Sequence, residues 1–500
     1  MRLFLFAIGG TGARVVRSLT MMLAAGVDGL DSSYEIVPLI IDYDLSNGDK
    51  MRTVKAIETY AKIHNNLYAD VATGANYKDN FFMTSMSALP SSDPAKPYEF
   101  YFGPSTTEKF ASYLQKNALN VNPQTELTEQ LLEALYDTSD ERSKNAELEL
   151  DMAKGFKGNP NIGAVVFHEL KNSPEYKRFA ATFNPISDKV FVISSIFGGT
   201  GASGFPELVN AIRADQTHAA LNNANIGAAL ILPYFKLQPF DATLGDTGAI
   251  DAASFNAKTK AALGFYATPN GVNSKVNTIY YVGDEHQDDY VYAEGESRQQ
   301  NKAHAVEFIA ATAVLDFLLN NPNQGAYEFS VKDAKLAESI KLPDFYDSTH
   351  SLVLDNLSEF SLAMKYYRDV ICGDRDRIGS NVAYYNTFGL SGKIGKSVWQ
   401  WIDDFLDCKE HNGWGYYSWL KELNDHSHKV HLYRMAKSND LTSILADRQI
   451  AGRFFKKSPL ADSEISSELN KKSQGVTASS NTLFLKILRE VSKQIYQSVK

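Results

Sequence analysis

The chain has 500 residues, 44 % of them hydrophobic, with a formal net charge of −9 at pH 7 and a pI near 5.7. That length supports roughly two or three domains around a substantial core, and the acidic balance argues against a general nucleic-acid-binding surface. Two cysteines, Cys372 and Cys408, imply no disulfide framework and point to a reducing compartment. The opening apolar run is broken by Gly9-Gly10 with no cleavage-type segment after it, and no run approaches the length that spans a bilayer. A cytoplasmic protein is expected.

In chain order, Leu3 to Ile8 reads as a short buried strand. Gly9-Gly10-Thr11-Gly12 follows, then a helix from about Ala13 to Ala25 with Val15, Val16, Leu19, Met22 and Leu23 on one face. Val15 stands where a third glycine would complete the dinucleotide fingerprint, so that fingerprint is partial. A second strand near 35–42 closes on Ile40-Ile41-Asp42-Tyr43-Asp44. Residues 67–150 read as an insertion, with turn-rich stretches such as Leu89-Pro90-Ser91-Ser92-Asp93-Pro94 and a helical segment near 126–137.

The most informative stretch is Phe197-Gly198-Gly199-Thr200-Gly201-Ala202-Ser203-Gly204. It follows a buried strand near 189–196 and leads into helical spacing over Phe205–Arg213. Strand, glycine-rich turn and helix set free backbone N–H groups and a helix N-terminus against a phosphate. Further strands near 226–234 and 277–283, alternating with helices, predict an α/β fold: a parallel Rossmann-like sheet with helices on both faces. A long helix is expected from about Gln299 to Leu319, with Asn301 and His304 one turn apart on one face.

The C-terminal part carries a helix around Leu354–Val370 and aromatic-rich segments near 399–405 and 414–419. His426, His428 and His431 form the chain's histidine cluster; 426 and 428 on a strand would point to one side as a zinc site needs, but no cysteine or third ligand with convincing spacing accompanies them, and a surface strand or loop is expected there. Residues 458–482 are polar and serine-rich and read as a linker. Leu483 to Val499 has Phe484, Ile487, Leu488, Val491 and Ile495 at helical spacing. Such a helix suits a docking tail, an anionic membrane surface or the protein's own core.

Gly198-Gly199-Thr200-Gly201, with Pro206 at a matching offset, resembles the glycine-rich phosphate loop of the tubulin/FtsZ superfamily; Ser203 replaces one loop glycine, with Gly204 one position later. Ile8-Gly9-Gly10-Thr11-Gly12 resembles the first nucleotide loop of that family. Gly155-Phe156-Lys157-Gly158-Asn159-Pro160-Asn161-Ile162-Gly163 is similar to the FtsZ loop that contacts the terminal phosphate. The resemblance places Asp44 near the nucleotide's metal, Asn256 at the guanine, and Asn301 or His304 within reach of the guanine edge. It covers roughly residues 1–320.

The resemblance implies a nucleotide-binding domain over 1–298, carrying the insertion at about 67–150, and a central linking helix over 299–320; beyond it the chain divides into a smaller α+β domain over 321–457, a linker over 458–482 and an amphipathic helix over 483–500. It implies GTP/GDP and Mg2+ as cofactors, and head-to-tail assembly of the chain with itself into filaments. A partner protein or membrane adaptor would dock on the C-terminal tail. In filament-forming relatives the loop after the central helix activates water with the spacing Asn-x-Asp-x-x-Asp. Here Glu328 could stand in for the first acid, while Asp333 lies too far along to match the second. Hydrolysis is therefore expected to be slow, differently wired or absent. A non-polymerising nucleotide switch is the alternative. A dinucleotide-dependent oxidoreductase rests on the first glycine turn alone and leaves the other two loops unexplained.

Overall fold

The computed structural model of the chain describes residues 1–44, 46–69, 79–102, 109–114, 148, 150–152, 155–156, 158–237, 253–284, 288–290, 300–320, 339–341, 346–372, 382–393, 396–407, 413–426, 429–431 and 462–499. Its centre is a six-stranded parallel sheet built from β1 (Arg2–Ile8), β2 (Glu35–Ile41), β3 (Ser85–Met86), β4 (Lys189–Ser195), β5 (Asn225–Ile231) and β6 (Thr278–Val282), in the order β3-β2-β1-β4-β5-β6. The strands are near-continuous apolar runs because helices cover both faces. Along β1, Leu3, Leu5 and Ala7 face one core while Phe4, Phe6 and Ile8 face the other, as a period of two requires. The register pairs Ile8 with both Ile41 and Ser194, so the central strands end level with one another.

Pro38 sits inside β2 and has no N–H to donate. The edge is correspondingly split. β3 pairs only as far as Ile36, and the chain leaves and returns so that Ile40 N donates to Tyr98 O and Phe100 N to Ile40 O, both at 2.9 Å. Phe81, Phe82, Phe100 and Phe102 are buried. The described part of the stretch read as an insertion therefore completes the sheet edge and both cores; the helix expected near 126–137 lies outside the described residues.

The helices are α1 (Gly9–Ala25), α2 (Gly48–Leu67), α3 (Pro160–Phe167), α4 (Pro174–Thr182), α5 (Gly199–Arg213), α6 (Ala253–Tyr266) and α7 (Ala305–Leu319), followed by a largely helical C-terminal region. That region includes α8 (Asp355–Tyr366), α9 (Val398–Leu406), α10 (Tyr416–Leu423), α11 (Asp462–Lys472) and α12 (Asn481–Val499). Beyond α7 the described strands are one short parallel pair, Ser339–Lys341 with Lys429–His431, so little of the expected β component is seen there. α1 and α7 are buried nearly all round because one side lies on the sheet and the other meets the C-terminal helices. Phe308 stacks on Trp419, and the Trp419 indole N–H donates to Ser18 at 3.1 Å.

Two expectations for the C-terminal region are corrected, and the alternatives left open for its last helix are decided in favour of the core. The stretch read as a linker contains α11, whose Ile465 and Leu469 are buried. His426 is not on the surface: it is buried, with Nε2 2.7 Å from the Ala303 carbonyl oxygen and its ring against His304; His428 lies outside the described residues. The terminal helix α12 is not a free docking tail. Phe484, Leu485, Leu488 and Val491 are fully buried, and the buried Arg489 donates to Asn80 O at 2.9 Å and Asn356 Oδ1 at 3.1 Å. The apolar face is spent on the protein's own core.

Leu488→Ala should accordingly lower stability by about 2–5 kcal/mol, as a cavity in a packed core does. The urea midpoint is the readout; a tail that served only to dock a partner would leave it unchanged.

Candidate functional site

β1 and β4 are neighbours, yet the chain leaves them toward opposite ends of the sheet, to β2 and to β5. A crevice opens outside the carboxyl ends of two such strands, where α/β sheets bind ligands. Both strands meet glycine there. α1 begins at Gly9, four residues earlier than its apolar spacing suggests, because Gly9 adopts φ +74° and turns the strand directly into the helix. Gly9, Gly10, Thr11 and Gly12 are therefore the first helical turn, whose N–H groups have no intrahelical acceptor. Neither α1 nor α5 has a side-chain cap; their N-caps are Ile8 and Gly198.

The two turns lie side by side. A Cβ on Gly9 would sit 3.7 Å from Thr200 Cβ and 4.0 Å from Gly201 N. A third turn closes on them: a Cβ on Gly199 would lie 3.0 Å from the backbone nitrogens of Gly158 and Asn159, which lead into α3 with Pro160 in its first turn. Lys258 on α6 donates to Gly158 O at 2.8 Å and fixes this loop. On the far side, Asn47 caps α2 by accepting from Lys50 N and lies 3.5 Å from a Cβ built on Gly10. N-termini of α1, α2, α3 and α5 thus gather around one cradle, each with its positive dipole end, and the first turns of α1 and α5 are partly exposed there.

The glycines divide into two groups. A Cβ on Gly12 would lie 2.9 Å from the Ala7 carbonyl carbon, and one on Gly201 2.3 Å from Ser195 O; these two are glycine so that helix can pack on strand. Gly9, Gly10, Thr11, Gly198 and Thr200 are partly exposed on the open side of the cradle. Ser203 is buried and donates back to Gly199 O at 2.8 Å, and a Cβ on Gly163 would lie 2.1 Å from its hydroxyl. Its departure from a glycine pattern is a tie between α5 and its own first turn.

Asp44, just past β2, is buried, and its Oδ1 accepts from Ser46 N and Oγ at 3.1 and 3.2 Å. Among the described residues no group of three or more His, Cys, Asp or Glu is arranged to hold a metal. One oriented carboxylate is a donor of the type that magnesium takes, since that ion is commonly held by one or two carboxylates, phosphate oxygens and waters. Asn256 is exposed in the first turns of α6. Glu328 and Asp333 lie outside the described residues.

Asn301 and His304 do not share a helix face, because α7 starts at Ala305 and His304 is its N-cap. His304 Nδ1 accepts from Val306 N at 3.1 Å, and Glu307 returns the bond to His304 N at 3.1 Å. Asn301 precedes the helix and donates from N and Nδ2 to Asp49 at 3.0 and 3.2 Å. Both side chains serve a buried polar cluster that the sequence reading missed.

At its centre, Arg14 donates to Glu307 at 2.5 Å, Asp49 at 2.7 Å and Tyr234 Oη at 2.6 Å. Its guanidinium lies 3.8 Å from a Cβ on Gly10, directly beneath the cradle. Arg52 extends the cluster from Asp49 to Glu422, at 2.7 and 3.0 Å, and Arg17 joins Glu422 at 2.7 Å. The signal was present as charged residues in otherwise apolar helices, which are seldom buried without partners. Burial works to raise the Glu307 carboxyl pKa, and the Arg14 guanidinium outweighs it and holds the group below its ordinary 4.5.

No protein-family model and no curated protein matches the chain. Among solved structures it is similar to CetZ from Methanosaeta thermophila strain DSM 6194, with 11 % identity and a TM-score of 0.26, over 65 % of this chain and 56 % of that one. The alignment spans little more than half of the CetZ chain, and a likeness of that size assigns no family. Among the described residues no helix is long and apolar enough to cross a membrane.

Glu307→Gln should remove about 3–5 kcal/mol of stability at neutral pH by leaving Arg14 short of a buried counter-charge. Because the folded-state pKa of Glu307 is depressed, its contribution is complete above the ordinary value of 4.5 and is lost as pH falls below it. Thermal melts from pH 7 to pH 3 should show the gap between wild type and variant narrowing in acid.

Proposed function

We propose that this chain is a tubulin/FtsZ-like protein that binds a guanine nucleotide in the cradle between β1 and β4 and assembles head to tail with itself. The observation that carries the reading is the convergence of three glycine turns, at Gly9–Gly12, Gly158–Pro160 and Gly198–Gly201, on neighbouring helix N-termini at the switch point of the sheet. Backbone N–H groups of the first two helical turns would bind phosphate oxygens, and Thr11 and Thr200 add hydroxyl donors. Asp44 would orient the magnesium through water, and the ion would offset the charge of adjacent phosphates. Asn256 would read the base with an amide that both donates and accepts.

The strand order is shared with dinucleotide-binding sheets, but a dinucleotide site on the first turn gives no role to the turns at 158 and 198. A nucleotide switch that does not polymerise remains the second reading. The ion cluster favours it, since Arg14 beneath the cradle is joined through Asp49 and Arg52 to Glu422 in the C-terminal region. Such a path lets nucleotide occupancy bias the helical region within a single chain.

Titration of the full chain with magnesium GTP, magnesium ATP and NADH separates these readings. GTP should bind most tightly. Gly10→Val, which fills the cradle where the structure leaves ordinary van der Waals room, should weaken GTP at least ~10-fold, a loss of about 1.4 kcal/mol or more. Preferential NADH binding, or unchanged GTP affinity in the variant, would sink the assignment.

Asn256→Asp should reduce the preference for GTP over ATP; an equal change in both affinities means that another group reads the base. Right-angle light scattering then distinguishes filament from switch. A GTP-selective rise supports head-to-tail assembly, and GTP binding without any rise supports the switch.

A further inference from the structure

The terminal helix α12 packs on α8, and the carboxyl of Glu359 on α8 lies in that contact. Glu359 is 2 % exposed, and its Oε2 is buried without a hydrogen-bond partner. The cation beside it is Arg489 of α12, whose Nε lies 3.9 Å away, beyond hydrogen-bond reach. The other nitrogens of that guanidinium are engaged elsewhere. Nη1 donates to Asn80 O at 2.9 Å, and Nη2 to Asn356 Oδ1 at 3.1 Å and Asp28 Oδ1 at 3.2 Å. Arg489 therefore keeps its partners whether or not Glu359 carries a charge.

An ionised carboxyl in this position has given up water and gained no donor at Oε2, so its neutral form is favoured. The charges that face it come from both sides of the contact. Arg489 and Lys493 on α12 favour ionisation. Asp28, in the turn after α1, opposes it, as does Asp355 one turn earlier on α8 itself. Burial outweighs the two cations and pushes the Glu359 carboxyl up from 4.5 to about 7.

We propose that Glu359 is a proton-operated latch for the C-terminal helix: protonated, it lets α12 seat fully on α8, and ionised, it favours release of α12 from that contact. Release returns the carboxyl to water, where its ordinary value of 4.5 applies. Opening therefore sheds a proton wherever the closed latch holds one and the open latch does not. Because the raised value belongs to the folded state, seating is tightest in acid, weakens as pH rises from 4.5 to about 7 and changes little above. Glu307 behaves in the opposite sense, since its contribution is lost in acid. The latch rests on the contact of α8 with α12 and is independent of what the cradle binds.

Hydrogen exchange of the full chain without nucleotide, followed by mass spectrometry from pH 5 to pH 8 and corrected for the intrinsic pH dependence, reads the opening of α12. The opening constant over 481–499 should rise at least ~10-fold across that range, while β1 and β4 keep their protection. Glu359→Gln keeps the shape of the side chain and cannot ionise. Its profile should be flat, with α12 better protected than in the wild type at pH 8. Glu359→Met should also be flat, and it replaces the first variant if the amide disturbs folding. A flat profile in the wild type overturns the proposal without recourse to any variant. A rise that persists in both variants overturns it too. So does a rise shared equally by β1 and β4, which would make Glu359 a buried charge of one global unit and not a latch.

Discussion

Three arginines and three carboxylates lie together beneath the glycine turns, and the placement of four helices depends on their meeting. Arg14 and Arg17 come from α1, Asp49 and Arg52 from α2, Glu307 from the first turn of α7 and Glu422 from α10. An unpaired charge in this layer would cost several kcal/mol, so the set is tolerable only when complete. Formal charges cancel within it. Completing it fixes the rotation of α1 about its axis and with it the direction in which Gly9 to Thr11 present their backbone.

That constraint acts together with the topology of the sheet. Parallel strands that diverge at a switch point leave a crevice, but a crevice alone binds nothing in particular. Here β1 runs directly into α1 and β4 reaches α5 across Ile196-Phe197-Gly198, and the first turns of both helices are rich in glycine and threonine. Glycine has two separate physical uses in those turns. Gly12 and Gly201 let helices press onto strands, while Gly9 supplies a positive φ that aims the first turn outward.

The same economy of contacts explains the C-terminal region. α10 is tied through Glu422 to the arginines beneath the cradle, while α12 closes the opposite end with buried apolar side chains and Arg489. The C-terminal helices therefore pack directly on α1, α2 and α7. Their conformation and that of the glycine turns are linked through rigid buried groups, which is the structural requirement for communication between them.

How much of this was legible follows from the range of each interaction. The strands, their parallel arrangement and the two strand-glycine-helix turns were readable, because apolar runs of a few residues and glycine at a turn are local properties of the chain. The existence of α7 and α12 was readable from periodicity, but not the start of α7: His304 and Glu307 form a capping pair within an apolar stretch that masks it. The partners of Arg14 lie 35, 220 and 293 residues away in sequence, and no local pattern encodes such pairings. The same holds for the sheet edge beyond Pro38, where Tyr98 and Phe100 return to bond Ile40 of β2. The sequence by itself determined which segments become strands, helices and glycine turns, since short-range sterics and hydrophobic period decide those. Tertiary structure alone decided which turns share a cradle, which charges neutralise one another and which face of α12 remains free, because those outcomes depend on groups that only the folded chain brings within reach.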